Sequence, residues 1–166
     1  MKKIFFLVMA LILLSPAGAF AKKNDEGLVQ EYQMEGAGMT SDNARQVLVS
    51  ILSKKKDVSD EDLGKCAVHG VLFRDYDDAT NSGFGSVASQ KSIMGSPTKE
   101  QEFIDFFEPF FKNGDCNKYV QLVSNSRRTV KAGKQWKVSA IVRVNAANLK
   151  KDLKKQGMVK NLGTGW

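Results

Sequence analysis

The sequence predicts a single α+β domain in which an antiparallel sheet of three to four strands is covered by helices. Apolar and polar residues alternate over Leu28–Glu35 and again over Gln135–Val144, as they do in half-buried strands. Three other segments carry apolar residues at helical spacing. Each of these stripes needs an apolar partner, and the sheet can supply it. The chain that follows an N-terminal leader also has the length of one domain.

The N-terminal residues have the pattern of a secretory signal peptide. Two lysines precede an apolar run, Ile4–Leu14, and the small-x-small pattern Ala19-Phe20-Ala21 follows it. The run is shorter than the roughly 20 residues of a retained transmembrane helix, and no lipid-anchor cysteine follows. We therefore expect cleavage after Ala21 and a periplasmic or secreted protein that neither spans the membrane nor carries a lipid anchor. Residues 22–27 are expected to be disordered, 28–157 to form the domain and 158–166 to form a C-terminal tail.

The first half of the domain predicts one strand and then two helices. The strand Leu28–Glu35 ends at the glycines of Gly36-Ala37-Gly38. A helix is predicted over Asp42–Lys55 because the apolar residues there recur at helical spacing: Ala44, Val47, Leu48, Ile51 and Leu52. Ser59 and Asp62 form an N-capping pattern with an acidic first turn, which predicts a second helix over Ser59–Gly70.

The middle of the chain predicts a long loop and an aromatic helix. Asp77–Lys99 is rich in Gly, Ser, Thr and Asn, and a loop of this length in a compact domain is usually mobile or functional. We expect a functional surface there. Pro97–Phe111 predicts a third helix that Pro109 kinks or ends. Its five phenylalanines share one face and are expected to pack against the sheet: Phe103, Phe106, Phe107, Phe110 and Phe111.

The last third of the chain predicts strands and one short helix. Tyr119–Val130 contains weaker strand patterns, and a Lys-Ala-Gly-Lys turn connects it to the strong strand Gln135–Val144. Asn145 then caps a helix that contains Leu149 and Leu153, and Gly157 is placed to end it.

The stretch CAVHGVLFRDYDD, residues 66–78, contains the single histidine and one of the two cysteines. Cys66, His69 and Cys116 lack the paired spacing that is typical of zinc sites. In an oxidising compartment the residues are compatible with a disulfide between Cys66 and Cys116, and equally with two free, buried thiols. The acidic residues at 75–78 do not continue as a calcium-binding loop, so a solvated turn is expected. The sequence indicates neither a metal nor a cofactor.

Catalytic motifs give no specific signal. The GFGS segment at 83–86 does not match the nucleophile elbow G-x-S-x-G, and two S-x-x-K matches are the number expected by chance. Gly36-x-Gly38 lacks the third glycine of a dinucleotide-binding loop. We therefore predict a protein without catalytic activity. The alternative is an exported hydrolase with His69 as its base, which requires a nucleophile or an acid beside His69 in a pocket.

Charge is distributed unevenly along the chain. Residues 22–126 carry 12 bases and 17 acids, whereas residues 127–166 carry 11 bases and one acid, Asp152. This basic segment, Arg127–Lys160, is a candidate surface for an anionic envelope polymer, and nucleic acid is not expected. The candidate anion-binding residues are Lys137, Arg143, Lys150, Lys151, Lys154 and Lys155. The alternative is an ordinary solvated face that the acidic half partly neutralises.

Two segments resemble a small exported domain of bacterial cell-envelope proteins. They are MEGAGMTSDNARQVL and WKVSAIVRVNAANLKKDLKKQG. The types they resemble are outer-membrane lipoproteins and the amino-terminal domain of the flagellar assembly protein T. With AVHGVLF and the Phe-rich helix between them, the chain is also similar to uncharacterised exported proteins of Bacteroidetes. The resemblance implies an α+β sandwich and a binding or assembly role with an envelope protein or polymer, and it carries over no catalytic residue.

Overall fold

The computed structural model describes residues 28–40, 42, 44–78 and 88–159. The strands are β1 (Tyr32–Met39), β2 (Arg45–Ser53), β3 (Tyr76–Asp78), β4 (Ala88–Gln90), β5 (Val120–Leu122), β6 (Arg128–Ala132) and β7 (Gln135–Val144). The helices are α1 (Asp60–Phe73), α2 (Lys99–Glu102), α3 (Ile104–Lys112) and α4 (Ala146–Lys155), with a 3-10 helix at Asp115–Tyr119. The expected signal peptide and the stretch 22–27 lie outside the described residues.

The main sheet has five antiparallel strands and is covered by helices, which confirms the predicted α+β class with more strands than expected. The strand order is β1-β2-β7-β5, and β6 pairs with the other half of β7. One face of β2 and β7 is completely buried under the helices, and its members are Val47, Val49, Ile51, Val138, Ala140, Val142 and Val144. The other face is mixed, with Leu48, Leu52 and Ile141 among polar residues, and there Ser50 and Ser139 share a hydrogen bond of 2.9 Å.

The additional strand is β2, and the helix predicted over Asp42–Lys55 is wrong. Its apolar residues fit both periodicities, because Val47, Val49 and Ile51 alternate while Leu48 and Leu52 complete a helical stripe. All nine residues of β2 pair with β7, and its other side pairs with β1. These pairings on both sides, together with β-branched side chains on the buried face, outweigh the local helical spacing.

Helix α1 is the main cover of the sheet. Its N-cap is Ser59, whose side chain accepts a hydrogen bond of 3.0 Å from the backbone N–H of Asp62, as the capping pattern predicts. The helix extends three residues past Gly70 and ends at Phe73, and every residue from Cys66 to Phe73 is buried. Within the described part of the chain, no helix has both the length and the apolar content needed to cross a bilayer.

The helix predicted over Pro97–Phe111 is two helices, α2 and α3, with Phe103 between them. Pro109 lies inside α3, which continues to Lys112. Phe107, Phe110 and Phe111 are buried in the core, in agreement with the predicted packing of the aromatic stripe. Phe103 and Phe106 are half-buried and pack against the edge of the core.

The region predicted as a long loop, Asp77–Lys99, contains a second small sheet in which β3 and β4 pair. Residues 79–87 lie outside the described part of the chain. After β4, the backbone N–H groups of Ile93 and Met94 donate to the carbonyl oxygens of Val71 and Leu72 at 3.0 and 2.9 Å. These bonds attach the second half of the region to the C-terminal end of α1.

Candidate functional site

A large cleft lies between α4, α2 and the segment Lys91–Gly95. Its volume is about 1140 Å³, slightly above the range of about 300–1,000 Å³ that is typical of small-molecule sites. Residues at the adjoining ends of β1 and β2, Met39 and Arg45, complete the lining. We call this feature the α4 cleft.

Helix α4 presents two of its lysines to the cleft. The side chain of Asn145 caps the helix by accepting a hydrogen bond of 3.1 Å from the backbone N–H of Asn148. Leu149 and Leu153 are buried in the core and fix the rotation of the helix. Lys150 and Lys154, one turn apart, consequently line the cleft, about 6 Å from each other along the helix axis.

The chain remains beside the cleft after α4 ends. Gly157 adopts a positive φ of 74°, a conformation that favours glycine at the end of a helix. The backbone N–H of Met158 donates to the carbonyl of Leu153 at 3.1 Å. Met158 and Val159 then line the cleft and pack against the core, so the expected tail begins with two ordered residues.

Cationic side chains outnumber carboxylates around the cleft. The cations are Arg45, Lys91, Lys99, Lys150 and Lys154, and the carboxylates are Asp75 and Glu102. Both carboxylates already have a lysine partner: Lys91 contacts Asp75 at 2.8 Å, and Lys99 pairs with Glu102. The hydrogen bond from Lys91 is the main reason that the pKa of Asp75 is lowered to about 2.

Three cations of the cleft have no carboxylate partner among the described residues: Arg45, Lys150 and Lys154. Arg45 donates from Nη1 to the backbone carbonyl of Lys91 at 2.9 Å, which holds the guanidinium at the cleft without neutralising it. The cleft therefore carries an excess of three positive charges, and these come from β2 and α4.

The rest of the lining is largely apolar. The large apolar side chains are Met39, Ile93, Met94, Phe103, Met158 and Val159, and small residues of α4 lie between them. Met39 is 46% exposed, although it is a large hydrophobic residue. The described residues contain four methionines, and three of them line this cleft.

The structure divides the six residues predicted for anion binding among different places. Only Lys150 and Lys154 line the α4 cleft. Arg143 pairs with Asp42 and lines a separate, polar pocket of about 230 Å³. Lys137 lies on the open face of the sheet, paired across the strands with Leu52 and Val130.

The other two lysines of α4 point elsewhere. Lys151 is exposed and lines neither pocket, and Lys155 contacts Asp152 at 3.2 Å. Of the six residues, only Lys150 and Lys154 therefore share the α4 cleft, because successive helical positions face different directions.

His69 belongs to a buried hydrogen-bonded network and not to the cleft. Its Nδ1 lies 2.7 Å from the hydroxyl of Tyr32, and its Nε2 lies 3.1 Å from a carboxylate oxygen of Glu100. The rings of Phe73 and Phe111 pack against it, and it is 6% exposed. Burial is the main reason that the pKa of His69 is lowered, although the nearby Glu100 carboxylate acts in the opposite direction.

The structure places one acid, Glu100, beside His69, but no serine or cysteine nucleophile among the described residues. Both ring nitrogens are occupied by Tyr32 and Glu100, and no serine, cysteine or aspartate of the described residues is hydrogen-bonded to either nitrogen. His69 is also absent from the lining of the α4 cleft and of the smaller polar pocket. Helix α1 continues past His69 to Phe73, so the ring lies in the core and not at a helix end.

Both cysteines lie in the described part of the chain, and each is a free, buried thiol there. The disulfide that the sequence allowed is thus absent, and the alternative of two free thiols is the observed one. Burial raises the pKa of Cys66 to about 12 and that of Cys116 to about 11, which disfavours the nucleophilic thiolate. Among the described residues, no three His, Cys, Asp or Glu side chains are grouped to hold a metal ion.

Comparison of the chain with protein-family models, curated proteins and solved structures finds no match. The site is therefore defined by its own geometry. Lys91–Gly95 and Lys99 lie in the segment Asp77–Lys99, where a functional surface was expected, whereas sequence reasoning missed the lining from β1, β2 and the α2–α3 break, including Met39, Arg45 and Phe103. The sequence predicted a helix at Arg45, which is on a strand. The periodicity of a single element also carries no information about which elements meet in space, so the convergence of β2, α2 and α4 could not be predicted.

Proposed function

We propose that this chain is an exported, non-catalytic binding protein of the cell envelope and that its α4 cleft holds an anionic ligand. The observation that carries the proposal is the pair Lys150 and Lys154, which faces a cleft of ligand size with no carboxylate partner among the described residues. A cleft lined by one sign of charge attracts ligands of the opposite sign. Arg45 supplies a third cation from β2.

The rigidity of this arrangement supports binding. Lys150 and Lys154 project from a helix whose buried leucines are fixed in the core, and Arg45 is held by its bond to Lys91. Arg45, whose guanidinium is held in this way, loses less conformational entropy when a ligand binds. In the cleft, cations from β2 and α4 come together, which an ordinary solvated basic face does not require. This arrangement favours a binding site.

The hydrolase alternative has no comparable support. His69 is enclosed by Tyr32, Glu100 and two phenylalanine rings, and both buried thiols have raised pKa values. An assembly role, which the resemblance implies equally, would use a surface without a defined cleft. We therefore favour binding of a small anionic component of the envelope.

The test is an NMR titration of the purified protein with butyl phosphate at low salt. We expect amide chemical shifts to change at α4 and at Lys91–Gly95, and to decrease when salt is added, because exposed charges are screened beyond about 10 Å at 0.1 M. Lys150→Gln/Lys154→Gln removes the two unpaired charges and should weaken binding by about tenfold or more, as expected for charge-assisted hydrogen bonds.

The matched control is Lys151→Gln/Lys155→Gln, which changes the charge by the same amount on the same helix but outside the cleft. It should retain the affinity of the unaltered chain. If both double variants weaken binding equally, or if neither does, the cleft is not the site and the lysines form only a solvated face.

A further inference from the structure

We infer that the ligand of the α4 cleft is a single-chain amphiphile with one anionic headgroup, taken up as a monomer. This inference rests on the proposed function and specifies the class of its ligand. It depends on the apolar part of the lining, which anion binding alone does not explain. The headgroup contacts Lys150, Lys154 and Arg45, and the hydrocarbon chain lies against the methionines and Phe103.

The apolar lining is large and is supplied by four separate segments of the chain. Met39 ends β1, Ile93 and Met94 follow β4, Phe103 separates α2 from α3, and Met158 and Val159 follow α4. A phosphate or sulfate ion would leave this surface in contact with water. Exposed apolar surface that borders polar groups is typical of ligand-binding grooves, and a hydrocarbon chain would cover it.

The lining is also suited to a chain without a fixed shape. Methionine side chains are unbranched and flexible, and they adapt to different apolar partners at binding surfaces. Three of the four methionines in the described residues are placed at this cleft. Hydrogen-bonding groups that would recognise a rigid polar body are few here, because Ser92 is the only described cleft residue with a neutral polar side chain.

The headgroup must be anionic and small. Lys91 and Lys99 are already paired with Asp75 and Glu102, so only three cations remain for a ligand. Lys150 and Lys154 are about 6 Å apart along the helix axis, a separation that one phosphate or carboxylate group can bridge. A cationic amphiphile would meet an excess of positive charge and should be excluded.

The experiment compares butyl phosphate, octyl phosphate, octyl glucoside and octyltrimethylammonium by titration calorimetry, with every octyl compound below the concentration at which it forms micelles. Each buried methylene tightens binding by about fourfold, so octyl phosphate should bind at least about tenfold more tightly than butyl phosphate even if only part of the chain is buried. The neutral and cationic octyl compounds should bind more weakly than octyl phosphate.

A pair of variants locates the hydrocarbon chain. Met39→Gln/Met158→Gln should weaken the binding of octyl phosphate more than that of butyl phosphate, because the longer chain covers more of the methionine side chains. Leu52→Gln is the control, because Leu52 is 50% exposed, close to Met39 at 46%, but lies on the open face of the sheet away from the cleft. This control should keep the full dependence on chain length.

The outcomes separate this inference from the proposed function. If butyl and octyl phosphate bind equally and both need Lys150 and Lys154, the anion site stands and the amphiphile is rejected. If neither compound binds, the proposed function fails as well. Cosedimentation with phosphatidylglycerol vesicles without any binding of monomeric octyl phosphate would reject a monomeric ligand in favour of a membrane surface.

Discussion

The imidazole of His69 has a hydrogen-bonding partner at each nitrogen, and together the partners define one neutral form. A carboxylate oxygen accepts, so in this neutral form Nε2–H donates to Glu100 and Nδ1 accepts from the hydroxyl of Tyr32. Arg74 lies over the ring of Tyr32, 4.3 Å from its centroid, and adds a positive charge beside the network. Burial of the ring, aided by Arg74, outweighs the opposing Glu100 carboxylate and lowers the pKa of His69, so the folded protein favours the neutral ring.

This network makes stability depend on pH in a defined direction. The pKa of His69 in the folded chain lies below its ordinary value of 6.5, mainly because the ring is buried. Between those two values the unfolded chain binds a proton that the folded chain does not, so the free energy of unfolding decreases as the pH falls below about 6.5. For one group the slope stays below about 1.4 kcal/mol per pH unit and vanishes above that range.

Urea unfolding between pH 5 and 7.5 measures this slope. His69→Gln is the informative variant, because an amide can accept from Tyr32 and donate to Glu100 but does not titrate. We expect a lower stability at neutral pH and a flatter pH dependence than in the unaltered chain. An unchanged slope would show that other groups cause the pH dependence and would contradict the assignment to His69.

At the scale of elements, the sequence predicted most of the fold where one periodicity dominated. The strand β7 and the capped start of α1 followed from alternation and from the Ser59 capping pattern. The failure at β2 has a physical cause: its apolar residues satisfied two periodicities, and only pairing with β1 and β7 selects the strand. Such pairing joins residues far apart in the chain and leaves no local signal.

The candidate site could likewise be predicted only where its residues follow a local periodicity. The lysines of α4 were found because they repeat at helical spacing on one helix, and the buried leucines then selected Lys150 and Lys154 for the cleft. Arg45 could not be found, because its strand had been predicted as a helix. Phe103 was assigned to the core with the other phenylalanines, and the break between α2 and α3 that places it in the cleft has no proline or glycine to indicate it.

Gly36 of β1 and Gly70 of α1 allow neighbouring elements to pack closely at β1. We expect substitution by alanine to lower the free energy of unfolding more at Gly36 than at Gly70. A Cβ added at Gly36 would lie 2.7 Å from the backbone Cα of Asp78 on β3, which cannot move without displacing that strand. We therefore expect Gly36→Ala to destabilise the protein by about 1–3 kcal/mol, as overpacking usually does. At Gly70 the close atoms belong to the end of the Met34 side chain, which can change its rotamer.

Gly70→Ala is the matched comparison, because alanine also favours a helix over glycine by about 1 kcal/mol. That gain should offset much of the cost of moving Met34, so the net change should be smaller than for Gly36→Ala. Thermal or urea unfolding of the two variants measures both changes. Equal destabilisation, or a larger cost at Gly70, would contradict this account of the packing against β1.

For the whole molecule, the fold brings the acidic and basic parts of the chain together at several points. Arg127 pairs with Asp60 and lies 3.7 Å from Asp57, and Arg143 pairs with Asp42. The basic segment is thus partly neutralised by the acidic one, as one reading of the sequence allowed. Lys150 and Lys154 of the α4 cleft take part in no ion pair among the described residues, so the fold places unpaired positive charge at the cleft.

The proposed envelope function requires that this protein leave the cytoplasm, and the signal peptide predicted from the sequence would direct that export. The apolar run Ile4–Leu14 and the small residues Ala19 and Ala21 should direct export and cleavage, which leaves Lys22 as the first residue. Leu7→Arg/Leu11→Arg places charges in the apolar run and should keep the chain uncleaved in the cytoplasm. Lys22→Gln/Lys23→Gln changes two residues beyond the cleavage position and should be exported normally. Cell fractionation with intact-mass measurement compares the two variants. If the unaltered chain is found uncleaved in the cytoplasm, the proposed location in the envelope is wrong. The binding experiments on the cleft would still stand.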